Sequence, residues 1–102
     1  MNITTLANAP KAPAGLDARK MYTSPTLEVM HLHLPPGEQV AVHTNPVDMV
    51  FCIIQGNVIL QVDGKSMQLN TFDVIEVPAG IERGLNNNSE LDIRVLVLKK
   101  LI

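Results

Sequence analysis

The sequence predicts an all-β fold in which antiparallel strands form a sandwich or a barrel. From Thr26 onward, short runs rich in Val, Ile and Leu are interrupted by turn residues, at intervals of about eight to twelve residues. Helical spacing of the apolar residues does not persist in any segment. The length of 102 residues allows one domain with a modest core.

The first element is an extended N-terminal arm, predicted over residues 1–25 and followed by the barrel over residues 26–102. The arm contains Pro10, Pro13, Pro25 and Gly15 among scattered polar residues, and it has few apolar anchors. Such an arm can be a loose terminus, or it can lie along a sheet of its own chain or of a neighbouring chain. The sequence leaves these options open.

The candidate strands of the barrel lie between turns that are legible in the sequence. They are residues 27–34, 40–43, 49–54, 58–62, 66–69, 74–77, 83–86 and 91–98. The strongest hairpin signal is Asp63-Gly64, because both residues tolerate the positive φ of a type I′ turn. These turns predict antiparallel neighbours.

Two of these strands are apolar on both faces, the run MVFCII at residues 49–54 and the run VLVL at residues 95–98. An antiparallel sheet with one solvated face would alternate, so a partner covers the outer side of these strands. The arm and a second copy of the chain are the candidates. A barrel of this size has a small core, which favours sheet-on-sheet packing, and we expect a homodimer.

The composition excludes several classes of partner. A net charge of −2 provides no electrostatic footprint for nucleic acid or for an anionic membrane. The aromatic residues are Tyr22, Phe51 and Phe72, too few for a base-stacking surface. The single Cys52 lies in an apolar run, where we expect a small buried thiol. The N-terminal residues lack the apolar stretch of a signal peptide or a transmembrane span, so we expect a cytoplasmic protein.

Two sets of regularly spaced residues point to a family. The first set is Gly37, His43, Asn45, Met49 and Gly56, and the second is Phe72, Pro78, Gly80, Arg83 and Asn87. The spacing resembles the two motifs of the cupin superfamily, whose members are conserved jelly-roll barrels, also called double-stranded β-helices. Their first motif places Gly, His, His, Glu and Gly at these positions, and their second places Gly, Pro, Gly, His and Asn. The resemblance covers roughly residues 26–100.

The departures from the motifs fall on the family's metal ligands. Asn45 stands where the second His would be, Met49 where the Glu would be, and Arg83 where the last His would be. Cupins that keep three His and one Glu bind iron, manganese, nickel or zinc and act as dioxygenases, decarboxylases or isomerases. Those that lose this set are binding modules or metal-free enzymes. The set survives here only at His43.

The resemblance therefore implies a metal-independent barrel that binds a small molecule, with no cofactor. The expected pocket combines polar contacts from His43, Asn45 and Arg83 with an apolar lining that includes Met49, Phe51 and Phe72. The guanidinium of Arg83 would repel a divalent metal and would favour a carboxylate or a phosphate. Two plainer interpretations stay open. Arg83 can lie at the barrel lip, where it reaches solvent or pairs with Glu82, Glu76 or Asp48. His43 can be a core or rim imidazole that bonds a backbone carbonyl.

Two enzymatic alternatives remain. His31 and His33 lie two residues apart on one strand, and the apolar pattern of that strand sends both outward. A slip of one residue would bring them into the barrel beside His43, as the ligands of a transition metal in a dioxygenase or an isomerase. In the second alternative, His43 is the general base of a metal-free isomerase or epimerase, and Arg83 or Asn45 stabilises an enolate.

Overall fold

Antiparallel strands in two sheets make up the computed structural model, which describes residues 1–13 and 15–102. The strands are β1 (Asp17–Thr23), β2 (Leu27–Leu34), β3 (Gln39–His43), β4 (Asp48–Gln55), β5 (Val58–Val62), β6 (Lys65–Leu69), β7 (Val74–Val77), β8 (Arg83–Asn86) and β9 (Ile93–Lys100). The all-β prediction is confirmed. No helix in the described ranges has the length and apolar character needed to cross a membrane.

The two sheets enclose the core. One sheet has five strands in the order β1-β2-β9-β4-β7, and the other has four in the order β3-β8-β5-β6. Alternate residues of each strand face the space between the sheets, as the period of a β-strand requires. The side chains most completely buried there are Leu34, Ile53, Leu60, Leu85, Ile93, Val58 and Val95. This arrangement is a jelly-roll barrel.

Strand β1 lies within the predicted arm and was not expected as a strand. It pairs with β2 from Asp17 to Thr23, with a bulge at Met21, and Ala18 packs into the core with 2% of its surface exposed. The amide of Ala12 donates to the carbonyl of Ala18, and the amide of Lys20 donates to that of Pro10, both at 2.8 Å. The arm therefore lies along a sheet of its own chain. Of its residues, Ala14 lies outside the described ranges.

The register of β2 decides where its two histidines point. Met30, Leu32 and Leu34 face the barrel interior and are buried. His31 and His33 consequently face the outer side of the sheet, as the apolar pattern predicts. The slipped register is not adopted.

The predicted turns and boundaries agree closely with the structure. Asp63 and Gly64 have φ values of 50° and 76°, so both carry the positive φ that a type I′ turn requires. The largest shift is in β9, expected over residues 91–98. Strand β9 begins later because the side-chain NH₂ of buried Asn87 donates to the carbonyls of Leu34 and Leu91, each at 2.8 Å. These hydrogen bonds hold the loop before β9 out of the sheet.

Two rows of apolar side chains cross the outer face of the five-stranded sheet. Val29, Leu98 and Val50 are successive cross-strand partners on β2, β9 and β4. Leu96, Cys52 and Val74 form the next row on β9, β4 and β7. Cys52 is half-buried on this face and does not lie in the core, which corrects the expectation for its thiol. We call these six residues the outer apolar face.

Candidate functional site

A cavity of about 200 Å³ lies between the two sheets and opens at one end of the barrel. Apolar side chains from both sheets form most of its wall, and the polar side chains are few. The lining residues are Leu16, Ala18, Met30, Leu32, Val40, His43, Asn45, Met49, Phe51, Arg83, Gly84, Leu85, Val97 and Lys99. A mostly apolar cavity with a few convergent polar groups is the usual form of a small-molecule site.

The pairing of β3 with β8 places two polar side chains together. His43 and Arg83 are direct cross-strand partners, and both line the cavity. The next residue, Gly84, allows the two strands to approach closely here. A Cβ atom on Gly84 would lie 2.8 Å from the carbonyl oxygen of Val40, so a larger residue would force β3 away from β8.

The side chain of Arg83 is buried without a counter-ion. Only 2% of the residue is exposed, and no Asp or Glu of the described residues forms a salt bridge with it. Its Nη2 contacts the Sδ of Met49, and its Nε has no hydrogen-bond partner. Burial lowers the pKa of Arg83, but a guanidinium starts so high that it stays charged. None of the acidic neighbours expected at the lip, Glu82, Glu76 and Asp48, forms a salt bridge with it.

His43 and Asn45 form the polar rim of the cavity, where His43 is exposed and Asn45 is half-buried. The Nδ1 of His43 lies 2.9 Å from the carbonyl oxygen of Ala41. Because a carbonyl only accepts, Nδ1 carries the hydrogen, and the Nε2 of a neutral imidazole is left as an acceptor. The Oδ1 of Asn45 accepts from the amide of Val47 at 3.3 Å, so its side-chain NH₂ remains available to donate.

Lys99 is a cavity residue that the sequence analysis missed. It pairs across strands with Glu28 of β2 and with Met49 of β4, and its Nζ lies 3.6 Å from the Oε1 of Glu28. Both side chains are mostly buried, with 27% of Lys99 and 17% of Glu28 exposed. Its inward position follows from the alternation that buries Val95 and Val97, but the predicted strand ended at residue 98, two residues before the end of β9.

The structure brings together five of the six residues predicted to line the pocket: His43, Asn45, Met49, Phe51 and Arg83. The prediction for the sixth residue, Phe72, is wrong, because Phe72 does not line the cavity. Phe72 is 83% exposed and lies in the turn before β7, with φ of 72°. It occupies the glycine position of the second motif, in a left-handed turn that leaves its ring exposed to solvent.

The residues present do not fit a metal ion. The side chains at the four motif positions converge on the cavity, but only His43 is a common metal ligand. At two of the other positions Arg83 and Met49 replace the ligands, so a guanidinium contacts a thioether there. The alternative set is not assembled either. His33 binds Asp92 on the outer side, with Nε2 3.0 Å from Oδ1, and His31 lies on the same outer face. Within the described ranges, no group of three or more His, Cys, Asp or Glu could hold a metal.

Comparison with known proteins identifies the family. The sequence matches the family described as Cupin domain over residues 30–99, which is more than half of the chain. The chain belongs to the cupin family. The predicted resemblance is thereby confirmed, together with the jelly-roll fold that it implied.

Solved structures share the fold of this cupin at low sequence identity. An RmlC-like cupin from Shewanella frigidimarina is 15% identical, with a TM-score of 0.86 and coverage of 100% of this chain and 92% of that chain. KdgF from Halomonas sp. is 16% identical, with a TM-score of 0.85 and coverage of 99% and 95%. TT1209 from Thermus thermophilus is 24% identical, with a TM-score of 0.83 and coverage of 98% and 97%. A search of curated proteins found no match.

Proposed function

We propose that this cupin is a metal-independent barrel that binds a small anionic molecule in the cavity between its sheets. The observation that supports this most is the burial of Arg83 without a carboxylate partner. Taking a charged group out of water without pairing it costs several kcal/mol. An anion in the cavity would offset that penalty with charge-assisted hydrogen bonds to the guanidinium.

The rim supports the same role. The free NH₂ of Asn45 lies beside the cavity that Arg83 lines, so a bound anion would meet two donor side chains, whereas the Nε2 of neutral His43 offers it only a lone pair. The apolar wall would contact the rest of the ligand. A dication would be repelled by Arg83, which is why the proposed binding needs no metal.

The test measures metal content and ligand binding on the same preparation. The protein is purified without a chelator and analysed for metals, then titrated calorimetrically with hexanoate in a buffer that contains EDTA. We expect no stoichiometric metal, saturable binding of hexanoate, and at least tenfold weaker binding by Arg83→Met. The control is Arg94→Met, which removes an arginine from the outer side of β9. A stoichiometric metal, or equal binding by Arg83→Met, would overturn the proposal.

Catalysis by this cavity is a second candidate, favoured by one observation. The hydrogen bond from His43 Nδ1 to Ala41 fixes the tautomer in which Nε2 can accept a proton. The described residues that line the cavity include no carboxylate and no phenol. His43 would act as the base without a partner acid. Exchange of substrate protons in D₂O that is lost in His43→Gln would support this function.

We also propose that the outer apolar face packs against the same face of a second copy. Val74 is 64% exposed, and the arm runs along the edge of β1 and not over β4, β7 and β9. A face of this kind on a small barrel is typical of a sheet-on-sheet homodimer. Light scattering should give a dimer for the wild-type chain and a monomer for Leu98→Glu. Leu91→Glu, the same substitution at a position that is 71% exposed in the loop before β9, is the control and should stay dimeric. A monomeric wild-type protein would contradict the proposal.

A further inference from the structure

The charges around the cavity restrict what kind of anion it can hold. Two cationic side chains line the cavity, Arg83 and Lys99. Lys99 already has a counter-ion, because its Nζ lies 3.6 Å from the Oε1 of Glu28. Arg83 has none among the described residues, and its Nε lacks any hydrogen-bond partner. The cavity therefore has one uncompensated positive charge.

The apolar wall of the cavity limits the chemistry of the part of the ligand that does not contact Arg83. Met30, Leu32, Val97 and Phe51 contribute buried apolar surface, whereas the polar rim is limited to His43 and Asn45. Hydroxyl groups placed against such a wall would lose their hydrogen bonds to water without replacement. The volume of about 200 Å³ is slightly larger than an apolar cavity that takes up one benzene molecule, roughly 150 Å³.

We infer that the ligand is a monoanion with a short apolar body, such as a small monocarboxylic acid, and that Glu28 sets this preference by neutralising Lys99. The inference rests on the proposed function, since it concerns the same cavity. The carboxylate would pair with Arg83, and the hydrocarbon part would contact the apolar wall. A second negative charge would meet Lys99 only in competition with Glu28, and it would be repelled by that carboxylate.

Four probes of similar length separate charge from polarity. Hexanoate is a monoanion with an apolar body, and hexanamide is its neutral counterpart. Glutarate adds a second carboxylate, and gluconate is a six-carbon monoanion with hydroxyl groups. In calorimetric titrations with EDTA present, we expect hexanoate to bind at least tenfold more tightly than each of the other three.

Glu28→Gln tests the role of the glutamate directly. The substitution keeps the size of the side chain and removes its charge, so Lys99 becomes available to a second anionic group. We expect the affinity for glutarate to increase about three- to tenfold relative to the affinity for hexanoate, which is the contribution expected of a partly buried ion pair. The matched control is Glu76→Gln, which removes an exposed carboxylate whose partner, Lys100, lies 3.3 Å away on the outer side. That variant should leave the ratio unchanged.

The outcomes distinguish this inference from the proposed function. If glutarate or gluconate binds more tightly than hexanoate and the binding depends on Arg83, the anion site stands and the monoanion inference is overturned. If none of the probes binds, or hexanamide binds as well as hexanoate, both are overturned, because Arg83 would not recognise charge. An unchanged glutarate-to-hexanoate ratio in Glu28→Gln would overturn the role of Glu28 alone.

Discussion

The guanidinium of Arg83 contacts the thioether of Met49 inside the barrel, at two positions where metal-binding cupins have ligands. β8 supplies Arg83 and β4 supplies Met49, so the contact joins the two sheets across the cavity. A thioether is a weak acceptor and cannot neutralise a guanidinium. The barrel therefore contains a buried cation that no acidic side chain of the described residues neutralises.

Arg83→Met should stabilise the ligand-free protein. The new side chain is apolar and of similar length, so the cavity wall is preserved and the uncompensated buried charge is removed. We expect the free energy of unfolding to rise by about 1–3 kcal/mol in urea titrations. Arg94→Met should change it by less than about 0.5 kcal/mol, as is usual for a surface site. A marked loss of stability in Arg83→Met would mean that Arg83 is paired within the protein.

Arg83→His should increase the affinity for divalent metals. The substitution removes a positive charge and places an imidazole as the direct cross-strand neighbour of His43, where Cβ atoms are about 5 Å apart. Calorimetric titration with nickel should show tighter binding than in the wild-type protein, and Arg83→His combined with His43→Gln should lose the gain. An unchanged titration would show that the two rings cannot share one ion.

Much of the fold could be predicted from the sequence because turn chemistry and the period-two pattern act locally. The positive φ values of Gly37 and Gly56, 84° and 81°, explain why the first motif keeps its glycines. At Gly56 an added Cβ would lie 2.9 Å from the side chain of Ile93. Strand β1 was missed because its sequence, DARKMYT, has little apolar alternation, and pairing with β2 stabilises it instead.

The site was harder to predict because burial and charge pairing depend on distant residues. The motif spacing predicted that His43, Asn45, Met49 and Arg83 would converge, and they do. The depth of Arg83 and the absence of a carboxylate beside it could not be read from its neighbours in sequence. Lys99 and Glu28 are 71 positions apart (99 − 28), and only the register of β2 with β9 brings them together.

His31 should make the stability of the barrel depend on pH. Burial lowers the pKa of His31, and the electrostatic effects of Arg94 and His33 lower it further, against the opposing effect of Asp17. The cross-strand partner on β1, Arg19, adds another cation to this side. In the unfolded chain His31 binds a proton near pH 6.5, whereas in the folded protein its ring is still neutral at that pH. The free energy of unfolding therefore falls as the pH drops below 6.5 toward the pKa of His31 in the folded protein.

The measurement compares urea unfolding of the wild-type protein and of His31→Gln at pH 7.5 and pH 5. We expect the wild-type protein to lose more stability than the variant over this interval, because glutamine has no proton to bind. The imidazole resonances of His31 should titrate below pH 6.5 in NMR spectra. Equal losses in the two proteins would contradict the prediction.

Phe72→Gly should stabilise the fold although it deletes a large apolar side chain. Phe72 is 83% exposed, so its ring contributes little packing, and its φ of 72° is a left-handed conformation that strains any residue with a Cβ. Relief of that strain stabilises the folded state, whereas the greater flexibility of glycine in the unfolded chain opposes it. The net effect should raise the free energy of unfolding by about 1 kcal/mol. Phe72→Ala keeps the Cβ and should stay near the wild-type value. An equal loss of stability in both variants would contradict the prediction. It would mean that the ring of Phe72 is packed in solution, and a second copy of the chain against the outer apolar face could supply that contact.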